Sequence, residues 1–291
     1  INMLTDFIPE SYPRTTVYVE YDSVGLIIAL VVAVITVLLV VASAALTYHY
    51  RKKRVMIYAQ PIFVYLILSG VYFVSIGAIL ISLPPASGTC MVTEWFVTIG
   101  YSLILVPLIV KVSAINKLFK GAAKMKRVKI TPADLYKKIG YIISGVVVFL
   151  IVWSSVDPFK DTKGRRLSGI DNSFGGEIVE VFDTCASNFA VWFILRFIYM
   201  VLLCVTATVL AVQTRKVKQE FNESVLLGHM IYAIFLIELI LILIWLLSPK
   251  QLDIIQQEFA AATQSYVMSA NSLAILFIYF YPKIDAARKN K

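Results

Sequence analysis

The sequence predicts an all-α membrane protein: a seven-transmembrane helix bundle with an extracellular N-terminus and a cytoplasmic C-terminus. The observations behind this fold class are the apolar composition, the long apolar stretches and the placing of basic residues between them. Of the 291 residues, 59% are hydrophobic and 15% charged, whereas soluble domains average about 45–50% apolar and about 25% charged residues. With a mean hydropathy of +0.80, a water-soluble globule would expose large apolar patches, so lipid must surround much of the surface.

Seven stretches meet the requirement for a bilayer-crossing helix, which is about 20 mostly apolar residues. The predicted spans are 24–48, 61–83, 93–117, 136–156, 189–214, 225–247 and 259–282. They divide the chain into an extracellular stalk at 1–23, a seven-helix domain at 24–283 and the start of a cytoplasmic tail at 284–291. Residues 15–21 of the stalk alternate like a short strand. The loop at 157–188 is long enough to fold on itself.

The basic residues set the orientation. The loops on one side of the predicted membrane carry 20 Lys and Arg residues and those on the other side carry 6, with Arg196 inside a span. Short cytoplasmic loops of membrane proteins are enriched in Lys and Arg. The side with 20 is therefore predicted to be cytoplasmic, in a multi-pass protein of the plasma membrane.

Several functions are excluded by what the sequence lacks. The net charge of +9 comes from short basic clusters between apolar runs, which is a membrane-protein pattern rather than a nucleic-acid-binding one. The motifs of metalloproteases, nucleotide-binding loops and serine hydrolases are missing. The last span has no lysine before Lys283 that could hold retinal. We therefore expect no catalytic activity, no cofactor, no metal site and no nucleic-acid partner.

Two cysteines fall on the predicted outer side. Cys90 opens the third span, and Cys185 closes the long outer loop. An oxidising compartment permits a disulfide between them, and two free thiols are the alternative. Cys204 lies in the middle of a span, where it is predicted to act as a small apolar side chain.

Two charged residues lie deep in predicted spans. Arg196 and Glu238 each sit roughly 10–14 Å below the outer end of adjacent spans, where an isolated charge costs at least ~2.5–3.5 kcal/mol. Similar depth predicts an intramembrane polar pair, or contacts with a bound lipid or ligand group. The alternative is that each faces a wet cavity separately. Glu238 is the one acid predicted to lie well inside a span.

Lys111 lies in the last third of the third span. One interpretation is a lysine that extends its amine to the lipid headgroups. The other is an ion pair with an acid at the end of a neighbouring span. Glu223, at the start of the sixth span, is the best placed of the cytoplasmic acids. A Lys111–Glu223 pair would act as an ionic lock between the third and sixth spans.

Motifs at the span ends, over about residues 50–285, resemble the transmembrane domain of class C G-protein-coupled receptors, closest to the GABA-B receptor branch. Cys90 and Lys111 have the spacing of that family's third-span cysteine and lysine. The other matches are Gln60-Pro61, Phe119, Trp153 to Pro158, Gln213-Thr214-Arg215, Phe221 to Ser224 and Tyr281-Pro282-Lys283. The third-span motif departs from the family at two positions, where its threonine is Val112 and its arginine is Ala114.

The resemblance implies a receptor that transmits an extracellular signal to heterotrimeric G proteins as a homodimer or heterodimer. A membrane lipid in the bundle cavity is a further implication of the GABA-B branch. The basic residues expected to face the G protein are Lys120, Lys124, Lys126, Arg127, Lys129, Arg215 and Lys283. Two alternatives remain open: a transporter or channel lined by Arg196 and Glu238, and a partner subunit that does not couple to G proteins.

Overall fold

The computed structural model describes residues 14–18, 24–58, 60–86, 88–123, 125, 131–170, 177–187, 189, 191–214, 232, 234, 236 and 254–289. Helices dominate, and three strands accompany them. In chain order the elements are β1 (Arg14–Tyr18), α1 (Val24–His49), α2 (Arg54–Tyr58), α3 (Pro61–Ser82), α4 (Thr89–Ala123), α5 (Pro132–Val156), β2 (Lys160–Ile170), β3 (Glu177–Ala186), α6 (Val191–Thr214), α7 (Ile254–Ile275), a π-helical segment (Leu276–Phe280) and α8 (Tyr281–Lys289).

Six helices within the described residues are long and apolar enough to cross a membrane. They correspond to the first five predicted spans and to the seventh. Of the predicted sixth span, only Tyr232, Ile234 and Leu236 belong to the described residues, and all three are helical. The count of seven helices therefore stays a prediction. The helix that contains the third span, α4, is longer than predicted, with helical residues at 89–92 and 118–123 beyond the apolar stretch.

The centre of the bundle is α3, which packs against α1, α4 and α7. Its closest approach is to α4 at a pair of glycines. A Cβ atom on Gly70 would lie 2.7 Å from the carbonyl oxygen of Gly100, and one on Gly100 would lie 2.9 Å from the backbone nitrogen of Val74. Small residues let transmembrane helices approach this closely, and the dispersion contacts along the backbones then hold them together.

A three-stranded sheet lies at one end of the bundle, where β2 contacts α4. The hairpin of β2 and β3 is antiparallel, and β1 pairs in parallel with β3, which gives the order β1-β3-β2. The all-α prediction thus omits a small sheet. The alternation at 15–21 and the length of the loop at 157–188 were its signals, but they do not reveal that the two segments pair. The predicted stalk contributes β1 to this sheet.

We call the end with Cys90 and Cys185 the disulfide end, and the other end, which α3 reaches at Pro61, the distal end. At the distal end α2 packs on α8. The π-helical segment lies just before Pro282, and the backbone N–H of Tyr281 donates to the carbonyl of Leu276, five residues back. Proline has no N–H, and its ring clashes with the carbonyl four residues earlier in an α-helix. The wider π turn relieves that clash.

Candidate functional site

The interior of the bundle holds a series of polar contacts, most of them made by α4. The first lies at the disulfide end, where Nη1 of Arg196 on α6 is 2.9 Å from Oε2 of Glu94 on α4. The side chains of Arg196 and Glu94 are 20% and 10% exposed. Since a charge buried in a membrane protein needs a partner, each residue neutralises the other in this pair.

A disulfide joins Cys90, in the first turn of α4, to Cys185 near the end of β3, with their Cα atoms 5.8 Å apart. Cys90 precedes Glu94 by four residues, so the two lie on the same face of α4. The bond attaches the sheet to the helix that carries the buried carboxylate. The sheet and the ion pair are thereby connected through one turn of α4.

Further polar contacts follow along α4 towards the distal end. The hydroxyls of Ser102 and of Tyr199 on α6 are 2.9 Å apart and share a hydrogen bond. The amide of Asn271 on α7 donates to the Tyr101 hydroxyl at 3.1 Å. These contacts give α4 hydrogen bonds to two neighbouring helices at the same level of the bundle.

A last contact joins α4 and α6 near the distal end, and unlike the others it lies at the surface. Nδ2 of Asn116 donates to Oε1 of Gln213 at 2.7 Å. Both residues lie 14 positions beyond the hydrogen-bonded pair Ser102 and Tyr199. The register between the parallel helices α4 and α6 is therefore the same at both levels.

Serine pairs connect α3 and α7. The Ser75 hydroxyl donates to that of Ser272 at 3.1 Å, and the Ser82 hydroxyl donates to that of Ser265 at 2.9 Å. The two pairs are seven residues apart along each helix, so they repeat on one face after two turns. All four side chains are buried. Together with the glycine contact to α4, these bonds fix α3 on two sides.

Two lysines are buried towards the distal end. Lys111 is 9% exposed, and its amine lies 5.8 Å from the ring centroid of Phe63. Lys283 is 6% exposed, with its amine 3.7 Å from the ring centroid of Tyr279, a distance at which the ring attracts the charge. The expectation that Lys283 faces a G protein stays a prediction, and the structure adds that its side chain is buried beside the Tyr279 ring.

Several predicted residues lie outside the described part of the chain. These are Glu223, Glu238, Lys124, Lys126, Arg127, Lys129 and Arg215. Lys120 lies in the last two turns of α4. The ionic lock and the Arg196–Glu238 pair accordingly stay predictions. What the structure adds is a different acid next to Arg196.

Glu94 is the residue that sequence reasoning missed. It is the second residue of the predicted third span. In the structure α4 begins four residues earlier, at Thr89, so Glu94 lies in its second turn, where it is 7% exposed. The available signal was that Glu94 is the only acid between residues 89 and 123.

Within the described residues, no group of three or more His, Cys, Asp or Glu side chains is placed to hold a metal ion. The polar contacts instead join helices to one another. The helix α4 is bonded to its neighbours at several levels. Such a helix is suited to relaying a change of packing from one end of a bundle to the other.

Residues 19–283 match the family model described as "7 transmembrane sweet-taste receptor of 3 GCPR". The chain belongs to the class C G-protein-coupled receptors. This family consists of signalling receptors and not of enzymes. The membership, together with the six apolar helices, agrees with a multi-pass membrane protein.

Relatives from distant organisms support the same assignment. Metabotropic glutamate receptor-like protein B of Dictyostelium discoideum is 27% identical over 89% of this chain and 34% of its own length. Protein G of the same series is 28% identical over 95% of this chain and 36% of its own length. Metabotropic glutamate receptor 4 of Mus musculus is 25% identical over 83% of this chain and 26% of its own length. The chain thus spans about a third of the length of the relatives it matches, or less.

Proposed function

We propose that this chain is the membrane-spanning part of a receptor that transmits an extracellular signal to heterotrimeric G proteins at the plasma membrane. The observation that carries the proposal is the match of residues 19–283 to the class C family. The relatives are named as metabotropic glutamate receptors or as similar to them. The motif from Trp153 to Pro158 instead resembles the GABA-B branch. On the span-end motifs we propose that the chain belongs to that branch.

The proposed orientation puts the disulfide end outside the cell. Two observations support it. The loops of the predicted cytoplasmic side carry 20 basic residues against 6 on the other side, and a disulfide such as Cys90–Cys185 forms in an oxidising compartment. In this orientation the distal end, with α2 and α8, lies at the inner leaflet, where a G protein docks.

The proposed relay runs along α4. Its polar contacts with α6 start at Glu94 and end at Asn116. A shift of α4 against α6 at the outer end would therefore be transmitted to the inner end. We propose that Lys111 is bound to Glu223 in the resting state and that activation breaks this lock. The burial of Lys111 supports a role inside the bundle. Such a charge pair is worth about 1–3 kcal/mol at intermediate dielectric.

Nucleotide exchange on an added heterotrimeric G protein tests the proposal. In membranes with matched surface expression, Lys111→Ala and Glu223→Ala should each raise basal exchange, because the resting state loses the lock. A bias of about 1–3 kcal/mol corresponds to roughly a 5–150-fold shift of a two-state equilibrium. Exchanging the two charges should restore part of the resting behaviour. Lys160→Ala, at an exposed position on β2, is the control and should leave basal exchange unchanged.

Other outcomes of this assay identify the alternatives. Unchanged basal exchange in both alanine variants would contradict the lock. Exchange that stays absent under every condition would favour a partner subunit that does not couple. Co-purification of two differently tagged copies tests whether the receptor is a homodimer.

A transporter or channel lined by Arg196 and Glu238 is the remaining alternative. The 2.9 Å contact with Glu94 argues against it, because a cation neutralised by a buried carboxylate is a weak lining for an ion path. Ion flux through vesicles that contain the purified chain tests this alternative. A flux abolished by Arg196→Ala would favour the transporter over the receptor.

A further inference from the structure

Two segments far apart in the sequence bring basic residues together at the distal end. The helix α2 follows the turn after α1, and it packs on α8. Met56 of α2 and Ala287 of α8 are buried, which holds the two short helices against the bundle. The exposed basic side chains on these segments are Arg51, Lys52, Arg54, Arg288 and Lys289.

The acids on these segments do not balance that charge. Between residues 48 and 58 there is none, and between 281 and 289 there is only Asp285. Asp285 pairs with Lys289 on the same helix at 2.7 Å. We call Arg51, Lys52, Arg54 and Arg288, the exposed cations left after that pairing, the α2–α8 surface. It carries a net charge of about +4 at neutral pH, since Arg and Lys remain protonated there.

Exposed aromatic and apolar side chains border the α2–α8 surface. Tyr48, Ile57 and Tyr281 are 58%, 58% and 64% exposed. The guanidinium carbon of Arg51 lies 4.1 Å from the ring centroid of Tyr48. Tyrosine is enriched where transmembrane helices leave the hydrocarbon and enter the headgroup layer. We therefore expect the basic groups of α2 and α8 to lie at the depth of lipid phosphates.

We propose that the α2–α8 surface binds the headgroup of an anionic phospholipid, with the acyl chains alongside Ile57 and Tyr281. Clusters of several Lys and Arg residues immediately beside a transmembrane helix attract anionic lipids. Three of the four cations are arginines, and a guanidinium can hold a phosphate with two parallel hydrogen bonds. The proposal does not depend on coupling to a G protein.

The orientation of the protein in the membrane does not depend on a contact between the basic segments of α2 and α8. The charge bias between loops counts the basic residues near the span ends and does not require that residues of different loops meet. Here the contact of α2 with α8 brings together two basic segments from opposite ends of the bundle sequence. A single lipid bound there would contact α1, α2 and α8 together, and it would stabilise their packing because it binds the folded bundle only.

Native mass spectrometry of the purified chain in detergent tests the proposal. The probe is an equimolar mixture of phosphatidylinositol 4,5-bisphosphate and phosphatidylcholine. The parent chain should retain the anionic lipid preferentially. A variant with Arg51→Gln, Lys52→Gln, Arg54→Gln and Arg288→Gln should lose this preference by about tenfold or more, since each basic residue near an anionic headgroup contributes several-fold.

Two further variants control for charge and for folding. Lys160→Gln with Lys163→Gln removes two exposed cations at the disulfide end and should leave the preference intact. A variant with Arg51→Lys, Arg54→Lys and Arg288→Lys keeps the charge and should retain most of the preference for the anionic lipid. An equal loss in the Lys160 and Lys163 variant would overturn the proposal in favour of non-specific attraction. Unchanged retention in the four-residue glutamine variant would also overturn it, and would leave the surface as a contact for an acidic protein.

Discussion

The helix α4 contacts two of its neighbours, α3 and α6, in different ways. Against α3 it packs through glycines, so closely that a Cβ on Gly70 would meet the Gly100 carbonyl at 2.7 Å. Against α6 it makes polar contacts, the ion pair of Glu94 with Arg196 and hydrogen bonds at two further levels. The first interface brings two backbones into close contact, whereas the second combines apolar packing with a few directional polar bonds.

The difference indicates which interface can change. Close backbone packing depends on many small dispersion contacts that are lost together when the helices separate. A hydrogen bond or an ion pair, in contrast, can exchange one partner for another without loss of the remaining contacts. We therefore expect the contacts of α4 with α6 to rearrange more readily than those of α4 with α3.

The largest expected effect concerns the ion pair. Glu94→Ala or Arg196→Ala alone should destabilise the bundle by about 3–5 kcal/mol, because a buried charge is left without its partner. The double variant should lose less than the sum of the two. Thermal unfolding of the four proteins in detergent, arranged as a double-mutant cycle, measures the coupling. Additive losses would contradict the pair and would direct attention back to Glu238 as the partner of Arg196.

A smaller effect is expected at the glycine contact. Gly70→Ala forces a methyl group into the space held by the Gly100 carbonyl and Ile104, and overpacking of this kind costs about 1–3 kcal/mol. Gly145→Ala on α5 is the matched control, since a Cβ added at Gly145 would have no atom within 4 Å. It should change stability by about 1 kcal/mol or less. Equal melting temperatures for the two variants would show that the interface between α3 and α4 is looser than the glycine distances indicate.

The smallest effect is expected for a single hydrogen bond between α4 and α6. Ser102→Ala and Tyr199→Phe each remove one hydroxyl of the 2.9 Å contact with almost no change of shape. Hydrogen bonds between transmembrane helices average about 0.6 kcal/mol in double-mutant cycles. The same unfolding assay should give a coupling of that size. A coupling as large as that of Glu94 with Arg196 would mean that the hydroxyls belong to a wider network.

The apolar spans were predictable, because a helix that crosses lipid must satisfy its own backbone and present about 20 apolar residues. The predicted first span at 24–48 and α1 at Val24–His49 agree almost to the residue. The position of Glu94 was not predictable in the same way. The helix α4 begins four residues before the apolar stretch, and the partner of Glu94 stands on another helix. Hydropathy reports neither fact.

Lys283 illustrates a second limit. A regular α-helix continued from α7 would carry Tyr281 and Lys283 on faces set by 3.6 residues per turn. The π-helical segment at Leu276–Phe280 adds residues to one turn and rotates everything after it. Pro282 signals a disturbance at this point, but it does not specify a π turn. The apolar pattern therefore does not specify the face on which Lys283 lies.

The sheet at the disulfide end also has a mechanical consequence. Tension applied to the chain ahead of β1 would divide between two paths, one through the backbone into α1 and one across the strand pairing into β3 and on through Cys185 to α4. The strands β1 and β3 run parallel, and the disulfide at Cys185 lies near the C-terminal end of β3. The second path therefore loads the strand hydrogen bonds in shear. Bonds loaded in shear share the force and break together, so a pull at this end would move α1 and α4 jointly before the sheet came apart.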